Sequence, residues 1–127
     1  MKFIKPKVVI SKCLEFDACR YDGQIINNNH IKKLKKFIDF IPVCPEVEIG
    51  MGIPRDTIRI VEKNNKTILY QPETEKDFSN KMNKFSKKFL NELEEVDGFI
   101  LKSKSPSCGY KSAKIYPKEN NTPAIRT

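Results

Sequence analysis

The chain has 127 residues, 39% of them hydrophobic and 31% charged, with a formal net charge of +8. This suits one globular domain with a modest core and excludes fibrous and disordered classes. No apolar run approaches the ~20 residues that cross a membrane, so no membrane partner is expected. Met1 to Pro6 carries no signal-peptide apolar region, and the expectation is a cytoplasmic protein. Thiols stay reduced there, so the four cysteines read as ligands or reactive groups rather than as disulfides. Residues 100–127 hold a net +5, from Lys102, Lys104, Lys111, Lys114, Lys118 and Arg126 against Glu119. Such a stretch suggests an anionic partner, RNA included. No aromatic ladder or RNP-type motif lies among these lysines, which favours plain solvation.

Residues 7–11, Lys-Val-Val-Ile-Ser, predict a short buried strand. A polar loop follows over 12–24. Asn27, Asn28 or Asn29 can cap a helix that starts near His30, with Ile31, Leu34, Phe37 and Ile38 as its apolar positions. Residues 40–43 form a second strand candidate that contains Pro42, an unfavourable residue in a strand interior. Gly50, Gly52 and Pro54 make 45–56 a loop. Residues 57–62 and 66–70 predict a hairpin around Asn64-Asn65. Thr74 and Asp77 resemble a capping box. Behind them Phe78, Met82, Phe85, Phe89, Leu93 and Val96 recur at helical spacing, predicting about six turns of amphipathic helix over 78–96 whose stripe is core. Asp97-Gly98 ends it, and 98–101 is a third buried strand. This order predicts an α/β fold, a three-layer Rossmann-like sandwich with a mostly parallel sheet, in a single domain over 1–127.

Cys13, Cys44 and Cys108 each fall in a loop after one of the three main strands. In a doubly wound parallel sheet those loops open on one carboxyl edge, where ligands bind. The absence of C-x-x-C argues against a zinc ribbon or a thioredoxin-type site. Three alternatives stay open on the residues alone. They are unconnected buried cysteines, a closed zinc site completed by Cys19 or His30, and an iron–sulfur cluster with one open, Lewis-acidic iron. Glu46, two residues after Cys44, is placed to activate water. Ser103, Ser105 and Ser107 crowd Cys108, and Gly109 permits close backbone approach. Arg20, Tyr21 and Asp22 offer polar groups near the first cysteine, although a turn held by a salt bridge explains Arg20 and Asp22 equally well. His30 at a helix start is expected to face solvent, which leaves hydrolase triads without support.

Taken in order, Ser11-Lys12-Cys13-Leu14, Cys19-Arg20-Tyr21-Asp22-Gly23, Val43-Cys44-Pro45-Glu46-Val47, Gly52-Ile53-Pro54-Arg55 and Leu101 through Ser105-Pro106-Ser107-Cys108-Gly109 resemble the thiouracil desulfidase (TudS) family over roughly residues 7–116. The resemblance implies a 4Fe-4S cluster on Cys13, Cys44 and Cys108, with one iron open to a substrate sulfur at the carboxyl edge of the strands. It implies non-redox removal of sulfur from thiouracil or a related thiolated pyrimidine, nucleoside or nucleotide. Glu46 and Ser105 match the acid–base residues, and Ser11, Arg20, Tyr21 and Asp22 are taken as substrate-binding. Thiolated tRNA is a second candidate substrate, and a non-catalytic zinc or iron–sulfur protein is the alternative from another class. Three departures carry expectations. Leu14-Glu15-Phe16 replace the family's small residues, implying a reshaped pocket. Tyr110-Lys111 imply a bulkier wall. The family usually runs on through a further helix and strand, so the C-terminal part is read as short or truncated.

Overall fold

The computed structural model of the protein describes residues 4–109 and 111–117. The wall expected at Tyr110 and the tail charges after residue 117 lie outside the described residues. The chain forms mixed α/β structure with a parallel sheet. The first strand, β1 (Lys7–Ser11), lies between two parallel neighbours, β2 (Asp39–Val43) and β6 (Gly98–Ile100). Ile10 faces Pro42 on one side and Ile100 on the other. Pro42 fits because β2 is an edge strand, where a residue without an N–H costs no ladder bond on the outer side. The start of the sheet is fastened at Asp97, whose carboxylate accepts from the Lys7 N–H at 2.8 Å and whose own N–H donates to the Lys7 carbonyl at 2.7 Å.

The strands do not all join one sheet. The predicted hairpin is present as β3 (Arg59–Lys63) and β4 (Lys66–Gln71), and with β5 (Lys76–Asp77) and β7 (Ile115–Tyr116) it forms a separate four-stranded sheet in the order β5-β4-β3-β7. Asn64 and Asn65 both take positive φ, 51° and 62°, the backbone that a two-residue hairpin turn matched to strand twist requires. The strands β5 and β7 have two residues each, too short to leave a period-2 signal in the sequence.

The first helix, α1 (Asn29–Leu34), is capped by Asn28, whose Oδ1 accepts from the Ile31 N–H at 3.1 Å. Only Ile31 of its expected apolar face is buried; Leu34 and Phe37 are exposed. Residues 45–48, expected as loop, form one helical turn, α2 (Pro45–Glu48), with Pro45 at the first position, where its missing N–H is harmless. The long helix α3 (Ser79–Glu92) is shorter than the stripe predicted, 14 residues or about four turns. Its last turn closes when the Leu93 N–H donates to the Phe89 carbonyl at 3.1 Å. Glu94, Glu95 and Asp97 follow, and acids are disfavoured at the negative end of a helix dipole. The expected capping box is absent: the N-cap position is Phe78, without a side-chain cap, Asp77 before it accepts from the Ser79 N–H at 2.8 Å, and Thr74 donates to Gln71.

Two apolar cores result. Ile10, Leu14 and Ile31 form one beneath the parallel sheet, with Phe16, Phe40 and Ile100 packed around them. Ile58, Leu69 and Met82 form the other, where Phe78 and Phe85 of the predicted stripe meet the second sheet. Among the described residues no helix is long and apolar enough to cross a membrane. Ile10 is fully buried at the centre of the parallel sheet. Ile10→Ala is expected to cost ~2–5 kcal/mol of unfolding free energy, read by urea denaturation. Leu90→Ala on the exposed face of α3 is expected to stay within ~0.5 kcal/mol.

Candidate functional site

Three loops leave the same edge of the parallel sheet. The first starts at Lys12, whose N–H donates to the Val43 carbonyl at 2.8 Å, so the turn carrying Cys13 is tied to the end of β2. The second starts at Cys44, an extended residue (φ −122°) that hands the chain directly into α2. The third leaves β6, and its Lys102 N–H donates to Ser11 Oγ at 2.8 Å. These turns enclose one cavity of about 350 Å³ lined by Cys13, Cys19, Cys44 and Cys108. All four are free thiols. Among the described residues no three His, Cys, Asp or Glu side chains are gathered tightly enough to hold a single metal ion.

Electrostatics set what these thiols need. Burial pushes the Cys13 thiol up, and the neighbouring Cys108 and Cys44 push it further, against a smaller opposite effect of Arg20. Burial also raises Cys108, and the neighbouring hydroxyls of Ser11, Ser107 and Ser105 offset part of that. Cys19, almost wholly buried, is pushed up to about 12 by burial and by Cys44. Each thiolate makes the next more costly, so a set of them is stable only around a strongly positive core. The rest of the lining is suited to such a load: Lys12, Arg20, Arg55, Lys102 and Lys104 stand against the single carboxylate of Glu46. A polynuclear iron–sulfur group fits this donor set: several thiols around one roomy cavity, electron-rich when ionised, within a cationic wall.

Glu46 is buried in α2. Its Oε1 accepts from Arg55 Nε at 3.0 Å and its Oε2 from Ser107 Oγ at 3.0 Å. The Arg55 guanidinium is itself buried, donates to the Gly52 carbonyl at 3.0 Å, and brings its remaining nitrogen to 4.0 Å from Cys44 Sγ. Gly50 and Gly52, both with positive φ, turn the loop back toward the cavity, and the Ile53–Pro54 peptide is cis. The Arg55 N–H then donates to the Tyr21 carbonyl at 2.8 Å, joining this loop to the one that follows β1. In the third loop Ser105 Oγ accepts from the N–H groups of Ser107 and Cys108, at 3.3 and 3.2 Å, and lies 3.2 Å from Ser107 Oγ. Gly109 closes this turn. A Cβ there would come within 2.7 Å of the Ser105 carbonyl oxygen and 2.9 Å of Ser112 Oγ, so only glycine allows the turn to pack.

Most of the residues singled out from the sequence border this cavity: Ser11, Cys13, Arg20, Tyr21, Cys44, Glu46, Ser105 and Cys108. Asp22 does not. It is exposed, and its Oδ1 accepts from the Gln24 N–H at 3.1 Å, a local turn. Arg20 stacks near the Tyr21 ring, 5.8 Å from its centroid. Leu14, Glu15 and Phe16, expected to shape the pocket, do not line the cavity. Leu14 joins the core, Phe16 packs edge-on against Phe40 at 5.5 Å, and Glu15 accepts from the Asn28 N–H at the start of α1. His30 is exposed, as a helix-start residue should be. Arg55 was not assigned a role from the sequence. Its signal was the Gly52-Ile53-Pro54-Arg55 run, which reads as turn chemistry until the fold shows where the guanidinium goes. Ser107 was seen only as part of a serine-rich approach to Cys108.

A model of the 2-thiouracil desulfurase family matches residues 8–126. The uncharacterized protein YbbK of Bacillus subtilis (strain 168) is 28% identical over 109 residues, spanning 80% of this chain and 72% of that protein. Among solved structures, a 4Fe-4S-dependent thiouracil desulfidase, TudS, matches with a TM-score of 0.70 at 25% identity, covering 97% of this chain and 80% of that one. With the family model spanning nearly the whole sequence, the chain belongs to the 2-thiouracil desulfurase family.

Proposed function

We propose that this protein is an iron–sulfur-dependent desulfidase that hydrolyses the thiocarbonyl of thiouracil, or of a related thiolated pyrimidine nucleoside or nucleotide, to the carbonyl and hydrogen sulfide. The observation that carries this reading is the meeting of Cys13, Cys44 and Cys108 with Glu46 and Ser105 around one cavity. The proposal takes 1–127 as a single domain working in the cytoplasm. It keeps the three-layer, Rossmann-like reading for the parallel sheet, with the cluster at its carboxyl edge. Support for that edge is the position of the three cysteine loops directly after β1, β2 and β6.

In this reading Cys13, Cys44 and Cys108 hold a 4Fe-4S cluster. When bound, the cluster supplies a soft Lewis acid that prefers the substrate's sulfur to oxygen and makes the ring carbon more electrophilic. The chain's own groups do the rest. Glu46, its carboxylate fixed by Arg55 and Ser107, takes a proton from the incoming water. Ser105, its oxygen held by two backbone N–H donors, orients that water and passes protons on. Ser11, Arg20 and Tyr21 present polar groups to the pyrimidine. The cationic wall favours an electron-rich or anionic ligand. Thiolated tRNA is the second substrate to assay, with salt-sensitive binding as its mark.

One observation favours a different class. Cys19 lines the same cavity and lies beside Cys44, whose thiol donates to the Cys19 carbonyl at 3.7 Å. As a fourth ligand it would close the site and make the protein a non-catalytic zinc or iron–sulfur carrier.

Anaerobic reconstitution with iron and sulfide, followed by metal analysis and sulfide-release assays on thiopyrimidines and thiolated tRNA, separates these readings. The desulfidase predicts about four irons per chain and turnover. One zinc per chain with no turnover would overturn it. Replacing Cys13, Cys44 or Cys108 by Ala is expected to abolish the cluster's visible absorbance, whereas Cys19→Ser keeps iron and activity. Glu46→Gln is expected to keep the iron and lower sulfide release by about 10²–10⁴-fold; near-parental release would remove Glu46 from the reaction. Before reconstitution Cys19 is expected to be the slowest thiol to alkylate. With a pKa of about 12 its thiolate fraction at pH 8 is on the order of 10⁻⁴, and the rate should climb with pH up to that value. Fast labelling of Cys19 at pH 8, followed by mass spectrometry, would contradict its buried placement.

A further inference from the structure

Among the described residues Glu46 and Ser105, the two groups on which the proposed hydrolysis relies for proton handling, share no direct hydrogen bond. Glu46 engages Arg55 through Oε1 and Ser107 through Oε2, both at 3.0 Å. Ser107 Oγ in turn lies 3.2 Å from Ser105 Oγ. We infer that Ser107 is a positioning residue of this site, whose hydroxyl is the bridge through which Ser105 and Glu46 exchange a proton. The inference rests on the function proposed above and adds a residue to it.

Donor accounting gives the bridge a direction. A carboxylate only accepts, and a serine has one hydrogen to donate. Ser107 directs its hydrogen to Glu46. The alternative acceptor, Cys108 Sγ, is 3.9 Å away, and a charge-assisted bond at 3.0 Å is much the stronger. The hydrogen between the two serines must therefore come from Ser105. Ser105 is arranged to give it, because its own oxygen already accepts from the N–H groups of Ser107 and Cys108. The chain of donors runs Ser105 to Ser107 to Glu46. Arg55 keeps it in register. By holding Oε1 from a buried position braced on the Gly52 carbonyl, it stops the carboxylate from rotating and leaves Oε2 to face Ser107.

The step balances. Water gives a proton to Ser105 Oγ, displacing the longer of its two N–H contacts, the 3.3 Å one from Ser107, as Ser105 passes its own to Ser107 and Ser107 passes its own to Glu46 Oε2. Three O–H bonds break and three form. The water oxygen keeps the electron pair that makes the new C–O bond, and Glu46 ends neutral. As the C–O bond forms, the C=S π pair moves onto sulfur. The same chain run in reverse returns the relayed proton to that sulfur as the C–S bond breaks. The second water proton, left on the new hydroxyl, passes to the departing sulfur as the carbonyl forms. A thiocarbonyl and water become a carbonyl and hydrogen sulfide, with no oxidant or reductant.

The test compares Ser107→Ala, which removes the bridge, with Ser107→Thr, which keeps a hydroxyl. In reconstituted protein of matched iron content, Ser107→Ala is expected to lower kcat about 100-fold with KM within about threefold, because the ring-binding groups are untouched. Ser107→Thr is expected to recover most of that loss. A Ser107→Ala enzyme with parental kcat, or a Thr variant as slow as the Ala variant, would overturn the bridge. A second measurement needs neither cluster nor turnover: melting of the apoprotein for Glu46→Gln, Ser107→Ala and the double variant. Coupled groups give non-additive shifts in melting temperature, and additive shifts would overturn the contact. If the reconstituted parent releases no sulfide from any thiopyrimidine, the proposed function fails while this cycle still decides the bridge.

Discussion

The cavity depends on the parallel pairing of β1 with a neighbour on each side. Because β1, β2 and β6 run in the same direction, their C-terminal ends lie side by side, and a loop leaving any one of them starts within a few ångströms of the others. Cys13, Cys44 and Cys108 are 31 and 64 positions apart in the chain, yet Cys13 and Cys44 follow their strands within two residues and Cys108 reaches the common space through the loop after β6. Cross-links at the rim keep the loops from drifting. The Lys12 N–H is bound to the Val43 carbonyl and the Lys102 N–H to Ser11 Oγ, so the first and second loops and the first and third are tied at their roots. A one-residue slip in register would turn Ser11 and Val43 to the opposite face and undo both ties.

Once the thiols are gathered, their charge becomes the dominant problem. Burial raises Cys13, Cys19 and Cys108, and the thiols raise one another. Both effects favour the neutral form of these three thiols. Ligation requires their ionised forms. The wall anticipates this, with five cationic side chains against one carboxylate. Arg55 has a double position in that balance. It pairs with Glu46 and approaches Cys44 Sγ to 4.0 Å, so one buried cation serves both the buried carboxylate and a cavity thiol. Removing one partner of such a buried pair leaves the other charge stranded, at a cost of about 3–5 kcal/mol.

The parts of the molecule that the sequence made legible have strong local chemistry. The apolar run Val8-Val9-Ile10 could only be a buried strand, Asn64-Asn65 between β-branched segments could only be a tight hairpin, and Phe78, Met82 and Phe85 at helical spacing had to be core. The cysteines were legible because each follows a strand, and Glu46 because it follows a cysteine by two. What escaped depends on distance across the fold. A sheet of seven strands and two sheets of three and four have the same linear order of elements, and β5 and β7, at two residues each, carry no periodic pattern that would separate them. The extent of α3 was overestimated because Leu93 and Val96 continue the apolar spacing, while the acids among them and the extended backbone at Leu93 end the helix. Asp22 was grouped with Arg20 and Tyr21 by adjacency alone, and a bond to the Gln24 N–H keeps it in its own turn.

Arg55 shows most clearly why a site is harder to read than a fold. In the chain it follows two glycines and a proline, a context that signals only a turn. The turn has a purpose that no local pattern records. It reverses the loop after α2 so that residue 55 returns to residue 46, and the Tyr21 carbonyl fixes its backbone from the loop on the other side of the cavity. The serine turn works by the same logic from the third loop, where the lack of a Cβ at Gly109 lets its N–H donate to the Ser105 carbonyl at 2.8 Å and the turn sets Ser107 against the same carboxylate. Glu46 is therefore held between two loops that meet only in three dimensions. The geometry that fixes its two oxygens is a property of the loop closures, and the identity of residue 46 alone could not have disclosed it.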